Sequence, residues 1–179
     1  MPFAYKGGMD APRDLFGLLR AFFDEAGWPY EPELDSRTLT VVFQAPQGER
    51  YLLAQAQGEA LCLFTSLLPL EVPRDEERIV ELLRFLNELN GHLGLGTLYL
   101  DEEGESVQFT TAVDARDARG ELYSKQDLFA LFERSLLYNL QTHERLYPHI
   151  QAVSSGRSRE KALTEALEAL AASDSDAKG

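Results

Sequence analysis

Residues 37–67, RTLTVVFQAPQGERYLLAQAQGEALCLFTSL, decide the fold. Within Arg37–Gln44, Leu39, Val41 and Phe43 alternate with Thr38, Thr40, Val42 and Gln44, the period-two pattern of a half-buried strand. Ala45-Pro46-Gln47-Gly48 reads as a turn, and Arg50–Gln55 returns as a second strand. Gln57-Gly58-Glu59 is another turn, and Ala60–Leu67 is a third strand. Three strands joined by such short turns form an antiparallel meander, because a parallel crossover needs a dozen or more connecting residues.

Helices flank this meander. Asp10 and Pro12 are suited to start one, and Leu15, Leu18, Leu19, Phe22 and Ala26 share its face. Gly27 reads as its left-handed stop, with Pro29 preventing continuation. After Pro69 and Pro73, Arg74–Asn90 carries acids in its first turn and a stripe of Ile79, Leu82, Leu83, Leu86 and Leu89. Gly96–Leu100 and Ser106–Val113 then read as two strands around a hairpin tip at Asp101-Glu102-Glu103-Gly104. Ser124-Lys125-Gln126-Asp127 opens a long helix, which Pro148 is expected to bend or end. Ser154-Ser155-Gly156 is a break. Ser158–Ala172 is a further amphipathic segment, and Ser173–Gly179 reads as a disordered end.

The resulting order, α-β-β-β-α-β-β-α plus a C-terminal helix, argues an α+β fold with an antiparallel five-stranded sheet covered by helices on one face. The expected organisation is a flexible lead over 1–9, a domain over 10–156, and a C-terminal helix with a disordered end over 157–179. The long helix carries Leu128, Phe129, Leu131, Phe132, Leu136, Leu137 and Leu140 on more than one stripe. Phe129, Phe132, Leu136 and Leu140 are therefore candidate subunit or partner contacts, or else simply meet the sheet within one chain.

Composition limits the partners. The chain has 179 residues, 17 Lys plus Arg against 30 Asp plus Glu, and a formal net charge of −13. Residues 1–155 hold 13 basic and 25 acidic residues, so the folded body itself is acidic. Such a surface repels nucleic-acid phosphates and anionic lipid. The best basic cluster, Arg157-Ser158-Arg159-Glu160-Lys161, is shorter than the runs that bind nucleic acid. No stretch approaches the roughly 20 apolar residues of a membrane span, and no signal peptide is legible, so a soluble cytoplasmic protein is expected.

Catalytic and metal motifs are missing. His143-Glu144 and His149 do not have H-E-x-x-H spacing. His92 lies in a loop without a nucleophile beside it. Cys62, the single cysteine, alternates with Leu61 and Leu63 inside a strand and reads as a buried thiol. Gly91-x-x-Gly94-x-Gly96 leads into a strand rather than a helix, unlike a phosphate-binding loop, and reads as turn glycines. The acidic run 101–105 lacks the ligand spacing of a calcium loop. No enzyme activity, metal or cofactor is expected.

Phe85-Leu86-Asn87-Glu88-Leu89-Asn90 followed by Leu98-Tyr99-Leu100-Asp101-Glu102-Glu103-Gly104 resembles the YbjN family. Ala26-Gly27-Trp28-Pro29-Tyr30 and Tyr147-Pro148-x-Ile150-x-x-Val153-x-x-Gly156 fit the same pattern, so the resemblance spans about residues 10–156. It implies a fold similar to type III secretion chaperones, which are small, acidic, non-enzymatic homodimers that bind an extended segment of a partner. The family label, bacterial sensory transduction regulator, names a role rather than a mechanism and supplies no site residues. The expected function is thus a homodimeric protein-binding module, chaperone-like or regulatory. The alternatives are a stress-related regulator acting at nucleic acid, through a protein partner or the 157–161 cluster, and an enzyme without a legible motif.

Overall fold

Alternation across 38–68 aims every second side chain at one layer of helices, and the strand register follows from it. The computed structural model describes residues 14–45, 48–68, 70, 72–101 and 106–176. The elements run α1 (Leu15–Ala26), β1 (Glu31–Glu33), β2 (Thr38–Ala45), β3 (Gly48–Gln57), β4 (Leu61–Leu68), α2 (Glu76–Asn90), β5 (Thr97–Leu100), β6 (Val107–Asp114), α3 (Lys125–Ser154) and α4 (Arg159–Asp176). All pairings are antiparallel and the spatial order is β1-β2-β3-β4-β6-β5. The lead over 1–9, the cap at Asp10, the turn residues Pro46-Gln47, the hairpin tip over 102–105 and the last three residues lie outside the described residues.

The α+β class and the one-sided helical cover match the expectation. Among the described residues the sheet has six strands rather than five. The extra strand, β1, is three exposed residues with Pro32 at its centre, too short and too polar to show alternation. It sits on the sheet edge, where a missing N–H is tolerated. Among the described residues α1 is capped by Asp14, whose carboxylate accepts from Gly17 N–H at 2.9 Å. Gly27 ends it in the left-handed region, φ 69°, with Trp28 N–H reaching back to Phe23 O at 3.0 Å.

Two helices extend further than the sequence suggests. Pro148 lies inside α3, which continues to Ser154. Pro148 and Glu144 are both exposed, so the carbonyl that loses its N–H partner faces water and the helix survives. Helix α4 runs to Asp176, past Ala172, since propagating a formed helix costs little.

Two apolar clusters lie between helices and sheet. The first joins α1 and the N-terminal half of α3 to Leu39, Val41, Leu52, Ala54, Cys62 and Phe64. The second joins α2, α4 and the C-terminal half of α3 to Leu68, Leu98, Val107 and Phe109. Ala162 and Ala166 of α4 are fully buried there. Helix α3 is common to both clusters, and its middle is polar on the inward side. Ser135, Asn139, Thr142 and His143 are all buried.

Asn139 meets Phe64 O at 2.8 Å and Phe109 O at 3.0 Å through Nδ2, and its Oδ1 accepts from Ser66 Oγ. Ser135 Oγ donates to Thr111 Oγ1 at 3.0 Å. Further along, Arg50 of β3 is buried, its Nη1 2.9 Å from His143 Nε2 and its Cζ 4.4 Å from the Tyr147 ring centroid. Arginine only donates, so His143 Nε2 is the acceptor and the ring proton sits on Nδ1. Burial, reinforced by the Arg50 charge, pushes the His143 pKa down to about 4.

Two stability predictions follow from this seam. Asn139→Ala strands two strand carbonyls and a hydroxyl in the interior and should cost on the order of 3 kcal/mol in urea unfolding. The control Leu83→Ala, at a 44% exposed site on α2, should stay within about 0.5 kcal/mol. His143 is held neutral when folded but protonates near pH 6.5 when unfolded. Its contribution is complete above pH 6.5 and is lost as pH falls towards 4. Between pH 7 and pH 5 this amounts to about 2 kcal/mol. His143→Gln, which keeps an acceptor for Arg50, should lose that much less stability over the same interval.

Candidate functional site

Among the described residues the four helices lie on one side of the sheet, and no other described element covers its other side. Pairing carries the pattern across it: Val42 lies opposite Tyr51, Tyr51 opposite Leu67, Leu67 opposite Gln108 and Gln108 opposite Tyr99. A parallel row runs Thr40, Leu53, Thr65, Thr110 and Thr97. Val42, Tyr51 and Tyr99 are 42%, 41% and 39% exposed. Threonines stitch the centre, with Thr65 Oγ1 2.7 Å from Thr110 Oγ1. None of the strand positions facing away from the helices is Lys or Arg, whereas Glu31, Glu33, Glu49 and Asp114 are acidic. The surface is apolar and polar at its centre and negative at its margins.

One end of this surface runs into a groove of about 910 Å3 beside β6, whose walls include Leu95, Tyr99, Tyr123, Leu131, Arg116 and Arg134. Its origin is a mismatch of strand lengths. β6 continues to Asp114, but β5 pairs only with Val107–Thr110. Gly96 ends the pairing: its φ is +83°, and a Cβ there would stand 2.7 Å from both Phe109 Cε2 and Thr110 O. No side chain fits that approach, which is what glycine supplies at this turn.

Backbone alternation shows what the groove offers. Asp101 N–H donates to Ser106 O at 3.0 Å, so the even-numbered residues of β6 turn their backbone groups to β5. Ala115 N–H donates to Ala60 O at 2.6 Å, which turns the odd-numbered ones to β4. Ala112 and Asp114 therefore present N–H and C=O outward where β5 has already ended. The outer edge of β5 is treated differently. There Asn90 receives Leu98 N–H at 2.7 Å and donates to Leu98 O at 2.8 Å, closing that edge.

The anticipated contact residues are placed against the sheet of their own chain. Phe132 and Leu136 are 0% and 1% exposed, filled by α1 and β4, so neither has side-chain surface left for a second subunit. Phe129 and Leu140 are half-buried at the flank of the same cluster, and Leu137 beside them is exposed. The sheet surface and the groove carry no motif. The one sequence trace of the groove is Gly96 at the entry to β5.

Residues with chemical potential are dispersed. Cys62 is fully buried, and desolvation raises its thiol to about 12. His143 is enclosed by Arg50 and Tyr147, and His149 lies near Glu165 at 3.8 Å, its pKa lowered chiefly by burial. Among the described residues no group of three or more His, Cys, Asp or Glu side chains is placed to hold a metal ion, and no helix is long and apolar enough to cross a membrane. In the C-terminal basic cluster Arg157 pairs with Glu165 at 2.6 Å, and Arg159 pairs with Glu81 at 3.2 Å and with Glu88.

No curated protein matches the sequence. Among solved structures, the crystal structure of YbjN from E. coli, there called a putative transcription regulator, is similar with a TM-score of 0.47 and 15% identity, over 72% of this chain and 91% of that one. The family model for YbjN, described as "Putative bacterial sensory transduction regulator", matches residues 16–126, from α1 to the first turn of α3. The chain belongs to the YbjN family.

Proposed function

We propose that this chain is a non-enzymatic, cytoplasmic, protein-binding module, a regulatory adaptor that acts as a homodimer and receives a partner polypeptide on the uncovered side of its sheet. The observation that carries this reading is the bare sheet surface itself. It combines exposed Val42, Tyr51 and Tyr99 with outward strand positions that hold no Lys or Arg among the described residues and with a margin of four acids. Apolar surface ringed by charge is the pattern of a binding face. The buried thiol of Cys62 and the enclosed imidazole of His143 offer no accessible nucleophile or base, which supports an adaptor over an enzyme. The family description is likewise that of a regulator.

The acidic margin disfavours packing two such faces together, because four carboxylates would meet four more. The homodimer contact is assigned instead to the outer flank of α3, where Phe129 and Leu140 border exposed Leu137. Action at nucleic acid through the 157–161 cluster has less support. Two of its three cations are already paired with Glu81, Glu88 and Glu165, and counterion release needs free cations. The domain is taken as residues 10–156, with 157–179 as a C-terminal extension whose helix α4 packs on α2 and α3.

Two measurements test this reading. Light scattering coupled to size exclusion should give about twice the 20.1 kDa chain mass, and Leu137→Glu should return the mass of one chain. A single-chain mass for the unaltered protein overturns the dimer. A polypeptide co-purifying with the unaltered protein in stoichiometric amount should be lost from the double variant Val42→Lys, Tyr51→Lys. Its undiminished retention by that variant overturns the assignment to the sheet surface.

A further inference from the structure

The groove beside β6 differs from the sheet surface in chemistry as well as in shape. Its edge offers the outward N–H and C=O groups of Ala112 and Asp114, four residues long from Thr111 to Asp114. One end is bounded by the Gly96 turn. At the other lies the bridge between Arg116 and Leu122. The walls are apolar from Leu95, Tyr123 and Leu131. Asp114 lines its far side, and the cation on the α3 side is Arg134. Arg134 lines the groove, is exposed and makes no ion pair among the described residues. Arg116 donates through Nη2 to Glu59 at 2.8 Å and through Nη1 to Gly120 O at 3.2 Å, but its Nε is buried with no hydrogen-bond partner among the described residues.

We propose that this groove takes an extended segment of a partner protein, which adds as a strand to the outer edge of β6, in line with β5, and places an acidic side chain against Arg134. The inference rests on the reading of the chain as a protein-binding module and names the site and chemistry of the segment it binds. A strand of four residues spans about 14 Å, matching the open length of β6. Main-chain hydrogen bonds to Ala112 and Asp114 supply affinity that is independent of sequence, and alternate side chains supply the selection. On one side those side chains meet Leu131 and Arg134 of α3; on the other they lie beside Ala112 and Tyr99. The segment is therefore apolar with a carboxylate on the side facing α3. Arg134, exposed on α3 and without an ion pair among the described residues, favours an anionic side chain at that position. A second copy of the chain is a poorer fit, since pairing β6 with β6 sets Asp114 and Arg116 of each copy against an edge already closed at both ends.

The probe is a library of random octapeptides displayed on phage, selected on the full chain. Enriched sequences should be apolar with a conserved Asp or Glu. The enriched peptide, synthesised with acetyl and amide ends so that only side-chain carboxylates remain, is titrated by fluorescence anisotropy. Ala112→Pro removes an outward N–H at a position where the β4 ladder does not use it. Arg134→Glu reverses an exposed charge. Each should weaken binding at least tenfold, and Asp or Glu to Asn or Gln in the peptide should do the same. Amide exchange at Ala112 and Asp114 should slow on peptide binding, which a fold defect in either variant does not mimic. The double variant Val42→Lys, Tyr51→Lys should bind the peptide unchanged. Several outcomes overturn the proposal: no enrichment, full affinity in both Ala112→Pro and Arg134→Glu, or enrichment of cationic peptides. Loss of binding in the Val42/Tyr51 variant alone also overturns it while leaving the sheet-surface reading in place. If Ala112→Pro instead halves the mass by light scattering, the occupant is a second copy and the proposal falls.

Discussion

The fold depends on one carboxamide. Asn139 sits at the centre of α3 and reaches the main-chain oxygens of Phe64 on β4 and Phe109 on the adjacent β6, while Ser66, also on β4, donates to it. Apolar packing alone tolerates sliding, because one leucine fills a gap much as another does. A buried amide with three fixed partners does not, since any other register leaves polar groups unpaired at about 1–3 kcal/mol each. Both apolar clusters are built on α3, so fixing its rotation and translation fixes α1 against one half of the sheet and α2 with α4 against the other.

That arrangement decides which surfaces remain for other molecules. With every described helix committed to one layer, no described element covers the far side of the strands. The sheet edges are dealt with unequally. β1 is short and carries Pro32, and the outer side of β5 is closed by Asn90. The stretch of β6 beyond Thr110 has no such guard, because Gly96 turns the chain away from it. Negative charge spread over the body keeps such surfaces from pairing with one another at random.

Much of this frame is legible in the sequence. Alternation in 38–44 and 107–113, Ser124 as a cap, and Gly27 as a stop are local signals with local causes, and each element appears where they point; Asp75, read as part of a first turn, is instead the N-cap of α2. β1 is missed because three residues around a proline carry no period. Pro148 misleads because its effect depends on which side of the helix faces water. The inward polar row of α3 is hidden for a different reason. Ser135, Asn139 and His143 look like solvent residues until strands distant in sequence supply their partners, and their presence makes the apolar stripe of α3 look wider than the buried one. Phe132 and Leu136 thereby suggest an outer contact although they lie within the chain. Of the groove only Gly96 leaves a trace, since the groove arises from the difference in length between two strands.

Cys62 gives the molecule a built-in clock. Its thiol is alone in the chain, fully enclosed by the first apolar cluster, and too basic to ionise while enclosed. An alkylating reagent reaches it only when the layer of helices parts from β4, so the rate of its chemical capture counts the openings of the fold itself.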